Sequence, residues 1–287
     1  MKSGGGSGYQ LGLYEKSMPG VLTPEKKLRE AGEAGFDYLE LSIDETDEKL
    51  SRLRWGNAEI IPLRRSMEET GIPIRSICLS AHRRFPLGDP DPGVQRKSLA
   101  IMEGAIVLAS RLGVRIIQIA GYDVYYKQSD SVTREIFADN LERCLAMAAR
   151  EGVMLAFETM ETPFIDTVEK AMFWVERFPS PYLQVYPDIG NITNAAALYG
   201  TDVLADLKRG AGHLAALHLK ETKPGIYREV PYGEGHVDFA AAVKTGLSLG
   251  VGLYMGEFWY TGGENWREVL GENNRFLRKA LDAGLSL

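Results

Sequence analysis

The chain is poor in cysteine and histidine and has no long apolar run. Its 287 residues include two cysteines, Cys78 and Cys144, and four histidines. Both cysteines lie in apolar surroundings, so we expect two small buried side chains, no disulfide and a reducing, cytoplasmic setting. No apolar stretch approaches the roughly 18 residues that a membrane span needs, and no signal peptide is visible, so we expect no membrane partner.

The chain also has no excess of positive charge. Its 33 Lys and Arg residues face 39 Asp and Glu residues, which gives a net charge of −6. This balance does not favour a nucleic-acid partner, and an anionic ligand would need a local cluster of basic side chains. The first eight residues, MKSGGGSG, indicate a flexible linker or cloning remnant. We expect one domain over residues 9–287, a length typical of a single barrel of about 250 residues with extensions.

Short apolar runs rich in β-formers alternate with helical patterns along the whole chain. The predicted strands cover residues 9–13, 38–43, 74–79, 115–120, 153–157, 182–186, 214–217 and 253–256. The predicted helices cover residues 23–35, 57–70, 94–112, 133–150, 166–178, 194–209, 239–249 and 266–283. Eight such pairs predict an α/β protein with one closed (β/α)8 TIM barrel. The alternative, an open doubly wound sheet, normally has a glycine-rich turn after its first strand, and here Leu13-Tyr14-Glu15-Lys16 occupies that place.

Ionisable residues follow the last four predicted strands, where a barrel carries its active site. They are Glu158, Asp188, His218 and Glu257. Neighbouring strands lie about 4.8 Å apart, so four such side chains can converge on one cation. Three carboxylates and one imidazole, without a thiolate, suit a divalent ion such as zinc, manganese, cobalt or magnesium. Taken singly, each has an ordinary alternative: a carboxylate that caps a helix or pairs with a cation, and a histidine within the core.

The two glutamates of this set indicate what the site could do. Glu158 and Glu257 flank the four positions, so one carboxylate could remove a proton from one face of a sugar while the other returns a proton to the opposite face. Each positioned base typically raises the reaction rate by about 10²–10⁴-fold. A cation bound to two sugar oxygens could stabilise the enediolate between these steps. Metal-assisted hydrolysis would use the same ligands, so the four residues alone do not choose the reaction.

Basic residues follow two of the strands and indicate an anionic substrate. Lys220 and Lys223 come after the seventh strand, where barrels often bind phosphate. His82, Arg83 and Arg84 come after the third strand and could add charge from across the mouth of the barrel. The alternative is that each is an ordinary solvated surface charge.

Several short stretches carry a resemblance to a known family. They are residues 13–16, 44–48, 78–88, 120–126, 186–191 and 223–225, of which SAHRRFPLG at 80–88 is the most specific. With these stretches the chain resembles the L-ribulose-5-phosphate 3-epimerases, also described as L-xylulose-5-phosphate 3-epimerases, which belong to the xylose-isomerase-like barrels. The resemblance covers nearly all of the chain after the linker. The segment 158–162 differs in detail from the family pattern, which leaves the specificity of that loop open.

The resemblance implies a metal-dependent interconversion of L-ribulose 5-phosphate and L-xylulose 5-phosphate. It implies one divalent metal, usually zinc, on the residues matching Glu158, Asp188, His218 and Glu257, with C3 proton exchange between Glu158 and Glu257. We further expect a homodimer in the cytoplasm. The residues that we expect to bind the substrate are Ser80, His82, Arg83, Asn191, Lys220 and Lys223.

One position bears on the choice of substrate. Related epimerases of unphosphorylated ketohexoses have a histidine three residues after the metal-binding aspartate, and here Asn191 stands in that place. This favours a phosphorylated pentulose. The alternatives are an aldose–ketose isomerase, a 3-epimerase of another ketose or ketose phosphate, a phosphoester hydrolase of the endonuclease IV type, which usually has more histidines, and a sugar-phosphate binding protein without catalysis.

Overall fold

The structure, a computed structural model, describes residues 8–285 and consists of eight parallel strands, each followed by helical segments. The strands are β1 Gln10–Tyr14, β2 Tyr38–Ile43, β3 Ile74–Leu79, β4 Ile116–Ala120, β5 Met154–Glu158, β6 Leu183–Val185, β7 Leu217–Leu219 and β8 Leu253–Gly256. The helices are α1 Pro24–Glu33, α2 Asp47–Ser51, α3 Asn57–Thr70, α4 Pro92–Leu112, α5 Ser131–Glu151, α6 Val168–Arg177, α7 Ile189–Tyr199, α8 Val203–Arg209, α9 Phe239–Ser248 and α10 Trp266–Leu285. The predicted linker, residues 1–8, lies outside the described residues except for Gly8.

The strands form one parallel sheet in the order β6-β5-β4-β3-β2-β1-β8-β7. Between its two ends, β6 and β7, two isolated parallel bridges join Val185 to Leu214 and Asp188 to His218. The sheet therefore curls round into a ring whose seam lies between β6 and β7. This confirms the predicted TIM barrel and excludes the open doubly wound sheet.

Side chains alternate between two apolar layers, as a strand requires. In β2, Leu39, Leu41 and Ile43 belong to the large core between the sheet and the helices. Tyr38 instead belongs to a smaller cluster with Cys78, Tyr186 and other residues that face the interior of the barrel. Glu40 lies on this interior side and is fully buried. The interior of the barrel therefore contains charged as well as apolar groups.

Local sequence signals explain where the helices begin and end. Thr23 caps α1 by accepting a hydrogen bond from the Lys26 N–H at 3.4 Å, and Pro24 occupies the first helical position. Gly113 and Gly152, with φ of 75° and 63°, end the two longest helices in the left-handed region that favours glycine. The next strands, β4 and β5, begin within three residues of these two glycines.

The structure differs from the sequence predictions mainly near β6 and β7. Residues 194–209 were expected to be one irregular helical region, but they form most of α7 and all of α8, because Asp188 caps α7 and Gly200 ends it. The seventh strand is shifted toward the C-terminus, so His218 lies within β7. Both cysteines are buried and unpaired, as predicted. Among the described residues, no helix is both long and apolar enough to cross a membrane.

Candidate metal centre and active site

The four strand-tip residues converge at the carboxyl end of the barrel. Glu158 ends β5, Asp188 follows β6, His218 lies in β7 and Glu257 follows β8. Their ligand atoms all lie within 4.8 Å of one another, and all four side chains are buried. His218 Nδ1 lies 3.4 Å from a Glu158 oxygen, 3.9 Å from Asp188 Oδ2 and 3.2 Å from a Glu257 oxygen. One imidazole nitrogen therefore faces three carboxylates.

The other nitrogen of His218 is held by a residue that the sequence analysis did not single out. His218 Nε2 lies 3.0 Å from Glu40 Oε1. The second oxygen of Glu40 accepts a hydrogen bond from Ser76 Oγ at 2.6 Å, and the Tyr186 ring packs edge-on against the imidazole. A proton on Nε2 can therefore be donated to Glu40, which leaves the Nδ1 lone pair directed at the carboxylates. This is the arrangement by which carboxylates orient histidines that ligate metals.

The donor set fits a divalent cation. Asp188 Oδ1 accepts a hydrogen bond from the Asn191 N–H at 2.7 Å and caps α7. Its second oxygen, Oδ2, is buried and accepts no well-aligned hydrogen bond, but it forms an ion pair with Lys220 Nζ, which lies 3.0 Å away. A cluster of three carboxylates and one imidazole leaves negative charge that a cation can neutralise, and such oxygen and nitrogen donors suit magnesium, manganese or zinc. The cluster could therefore bind a metal ion.

The two glutamates of the cluster have contrasting environments. Burial raises the pKa of the Glu158 carboxyl above its ordinary value, and the nearby Glu257 adds to the rise. Burial acts on Glu257 in the same direction, but Lys220 and His218 outweigh it and hold the pKa of Glu257 well below its ordinary value. Gln118 Nε2 donates a hydrogen bond to Glu158 Oε2 and orients that carboxylate.

A cavity of about 60 Å³ lies against Glu158 and Glu257. Three of the residues predicted to bind the substrate line it, namely Ser80, Arg83 and Lys220. The buried Lys220 lies between Asp188 and Glu257, at 3.0 and 3.6 Å. The structure therefore brings these three predicted residues to the same cavity as the two glutamates.

The other three predicted residues do not line this cavity. His82 is buried with Nε2 3.2 Å from the Ser98 carbonyl of α4, and burial lowers its pKa to about 4, so it is neutral near pH 7. Asn191 donates its side-chain N–H to the Thr159 carbonyl at 2.7 Å. Lys223 is partly exposed, and its Nζ lies 4.0 Å from Glu234. In these positions His82 supplies no positive charge to the mouth of the barrel.

Three further charged residues line the cavity, and the sequence analysis did not predict them. They are Lys16, Glu161 and Arg228. Lys16 lies in the predicted LYEK stretch, but nothing in the pattern of the loops that contain Glu161 and Arg228 orients those side chains. Glu40 had a signal that could have been used: an acidic residue inside a fully buried strand requires a partner.

Comparison with known proteins identifies the family. The sequence profile of the xylose isomerase-like TIM barrels matches residues 28–280. The L-ribulose-5-phosphate 3-epimerase UlaE of Salmonella heidelberg strain SL476 is 44% identical over 256 residues, which are 89% of this chain and 89% of that protein. UlaE of Escherichia coli strain SE11 is 44% identical over 250 residues, which are 87% of each chain.

Solved structures with low sequence identity share the fold. The crystal structure of a D-tagatose 3-epimerase-like protein superposes with a TM-score of 0.79 at 15% identity and covers 96% of this chain and 98% of that chain. A xylose isomerase-like TIM barrel protein from Mycobacterium smegmatis, in complex with magnesium, superposes with a TM-score of 0.69 at 17% identity and covers 96% and 97% of the two chains. The sequence profile and the sequence relatives confirm the predicted family: the chain belongs to the L-ribulose-5-phosphate 3-epimerases, carbohydrate epimerases built on the xylose isomerase-like TIM barrel.

Proposed function

We propose that this protein is a metal-dependent 3-epimerase that interconverts L-ribulose 5-phosphate and L-xylulose 5-phosphate. The observation that carries the proposal is the pair of carboxylates of Glu158 and Glu257, which line one cavity and both lie within 3.4 Å of His218 Nδ1. The family supports it, because the relatives that share 44% of their residues with this chain are named for this epimerisation.

The two glutamates exchange the proton at C3. One carboxylate takes the proton, and the electrons of the C3–H bond move toward the C2 carbonyl. The other glutamate, in its protonated form, then delivers a proton to the opposite face of C3, and the carbonyl re-forms. Gln118 supports this role by fixing one oxygen of Glu158, so that the other oxygen stays directed toward His218.

A divalent cation fits between these residues, and Glu158, Asp188, His218 and Glu257 would hold it. When bound, it would supply positive charge for the oxygens of the deprotonated sugar, a contribution worth several kcal/mol. We propose zinc as the metal, with manganese, cobalt and magnesium as alternatives. The buried ammonium of Lys220, beside Asp188 and Glu257, is positioned to donate a hydrogen bond to a sugar oxygen.

The test is proton exchange in deuterated water. The protein, loaded in turn with each of the four metals, is incubated with L-ribulose 5-phosphate, and both epimers are analysed by NMR. We expect deuterium at C3 of both epimers and loss of exchange after chelation. Deuterium at C1 would instead identify an aldose–ketose isomerase, and no exchange with any metal would contradict an enzymatic role on this sugar.

Replacement of the two glutamates tests their roles. In Glu158→Gln and Glu257→Gln we expect the turnover number to fall by at least about 10²-fold, because each change removes a positioned base. Metal content is measured in parallel, since both residues are also candidate ligands. The matched control is Glu169→Gln, which alters an exposed glutamate on α6. Turnover close to wild type in either active-site variant would overturn the proton-exchange scheme.

A further inference from the structure

A buried carboxylate lies at the start of the β7–α9 loop, residues 220–238. Glu221 is 2% exposed and does not line the cavity, and its two oxygens accept three backbone hydrogen bonds. Oε1 accepts from the Thr222 N–H at 3.0 Å and from the Val237 N–H at 3.2 Å. Oε2 accepts from the Gly233 N–H at 3.0 Å. One carboxylate therefore joins the first residues of the loop to its last residues.

The end of the loop packs closely against this carboxylate. A Cβ at Gly235 would clash with Glu221 Oε1 and with the Thr222 carbonyl oxygen. The next residue, His236, donates its backbone N–H to the same Thr222 carbonyl at 3.0 Å. The lack of a side chain at Gly235 is therefore what allows the end of the loop to reach Glu221.

The middle of the β7–α9 loop forms part of the cavity wall. It supplies Tyr227 and Arg228, which line the cavity. Asn194 of α7 holds the two preceding residues, because its Oδ1 accepts from the Gly225 N–H at 3.0 Å and its Nδ2 donates to the Ile226 carbonyl at 3.4 Å. The loop is thus held at its two ends by the buried carboxylate and on one side by α7.

The loop also contacts the backbone next to Glu257. The Tyr232 hydroxyl donates to the Leu219 carbonyl at 2.5 Å, and the Glu257 N–H donates to the same carbonyl at 3.1 Å. Tyr232 directly precedes Gly233, whose N–H the buried carboxylate accepts. A change at Glu221 therefore reaches the cavity through the backbone that this carboxylate holds.

We propose that Glu221 is a positioning residue whose carboxylate holds the β7–α9 loop over the cavity and so sets the affinity of the site for its substrate. This inference rests on the proposed function. The three hydrogen bonds are charge-assisted, and such bonds are stronger than those between neutral groups. Glutamine keeps one oxygen, and its amide group would face a backbone N–H with another donor. Loss of the charge thus raises the fraction of molecules in which the loop is open, and the apparent affinity for a ligand falls with the fraction of competent molecules.

The test compares Glu221→Gln with Glu234→Gln, a matched control in the same loop. Glu234 is exposed and pairs with Lys223 at 4.0 Å. Gly235→Ala is a second disrupting variant, because the added Cβ displaces the carboxylate, and the double variant is made as well. Every protein is loaded with the same metal, and circular dichroism and thermal melting measure the folded fraction. If Glu221→Gln does not fold, Gly235→Ala takes its place in each comparison.

The first measurement does not need the reaction. Cys78 lines the cavity, whereas Cys144 lies in the core between the sheet and the helices and serves as an internal control. Mass spectrometry of peptides follows the modification of both thiols by methyl methanethiosulfonate and the hydrogen exchange of residues 222–238. Loss of one charge-assisted hydrogen bond corresponds to about 10–100-fold in an equilibrium constant. We expect the modification rate of Cys78 and the exchange rates of the loop amides to rise by this factor in Glu221→Gln and to change less than about threefold in Glu234→Gln.

The second measurement is steady-state kinetics with L-ribulose 5-phosphate. In Glu221→Gln we expect KM to rise at least about threefold, while the turnover number stays within about threefold because saturating substrate favours the closed loop. A change that only reduced the amount of folded protein would lower the turnover number at unchanged KM. Gly235→Ala should show the same pattern, and the double variant should show less than the product of the two effects, because both changes disrupt one contact.

The inference is overturned if Glu221→Gln has the Cys78 modification rate and the KM of Glu234→Gln, or if the effects of the double variant multiply. Failure of the proposed function gives a different result. If the wild-type protein does not exchange the C3 proton but Cys78 is modified faster in Glu221→Gln alone of the two glutamate variants, the loop position stands and the reaction must be revised. If C3 exchange occurs and both glutamate variants behave alike, the reaction stands and Glu221 has no positioning role.

Discussion

Substitution of Glu40 by glutamine tests whether the candidate metal site depends on a residue that is not itself a candidate ligand. Glu40 is fully buried in β2, and its Oε1 lies 3.0 Å from His218 Nε2. With the proton on Nε2, the Glu40 carboxylate accepts it and the Nδ1 lone pair faces Glu158, Asp188 and Glu257. Glutamine has the same shape but no charge, so it accepts this proton more weakly, and its amide group can instead donate to Nε2. That reversal would move the imidazole proton to Nδ1, where it blocks a cation.

The expected size of the effect follows from the role of such partners. Loss of a carboxylate that orients a histidine ligand typically lowers metal affinity by about 10–100-fold, which corresponds to about 1.4–2.8 kcal/mol. Ser76→Ala removes only the hydrogen bond to the second oxygen of Glu40 and should have a smaller effect of the same sign. At saturating metal, the turnover number of Glu40→Gln should approach that of the wild-type protein.

The assay measures affinity and catalysis separately. Metal affinity is determined by competition with a chromophoric chelator, and activity is measured as a function of free metal concentration. Folding of the metal-loaded variant is checked by thermal melting. Unchanged metal affinity in Glu40→Gln would refute the reasoning. So would loss of turnover at saturating metal with unchanged affinity, because Glu40 would then act on the reaction and not on the ligand.

Two further predictions concern stability. Burial lowers the pKa of His82 to about 4, so between pH 6.5 and 4 the unfolded chain binds more protons than the folded one. The free energy of unfolding is therefore fully retained above pH 6.5, and we expect it to decrease by about 3 kcal/mol as the pH falls to 4. In urea unfolding measured at a series of pH values, His82→Gln should reduce the pH dependence of the free energy of unfolding. An unchanged pH dependence in this variant would contradict the prediction. Glu15 is buried with Lys27, Lys49 and Arg52, so Glu15→Gln leaves three buried cations without its charge and should cost about 3–5 kcal/mol. The exposed Glu48→Gln serves as the control, and equal urea midpoints in the two variants would show that the buried pairing contributes no net stability.

The sequence predicted the site residues that share one local pattern, a buried apolar strand followed by an ionisable residue. Each candidate ligand lies within three residues of the end of a buried strand, so the positions of Glu158 and Glu257 followed from the strand prediction. Orientation within a turn was not predictable in the same way. His82 and Arg83 are adjacent in a short 3-10 helix, where successive side chains point about 120° apart, so His82 packs against α4 while Arg83 lines the cavity. The contact between Arg228 and Glu161 joins residues 67 positions apart in two irregular loops, which no periodicity specifies.

The seam of the barrel connects its architecture to the candidate metal centre. Seven of the eight neighbouring strand pairs in the described part of the chain are joined by ladders, of which β2–β3 contains a register shift, whereas β6 and β7 are joined by two isolated bridges, one of which links Asp188 to His218. Asp188 uses one oxygen to cap α7 and offers the other to the cluster, so the turn that ends β6 also sets the position of a ligand. A cation bound by Asp188 and His218 would link the two strands, β6 and β7, that lie on either side of this seam. At this seam, Asp188 and His218 thus contribute both a backbone bridge to the closure of the barrel and two candidate ligands to the metal centre.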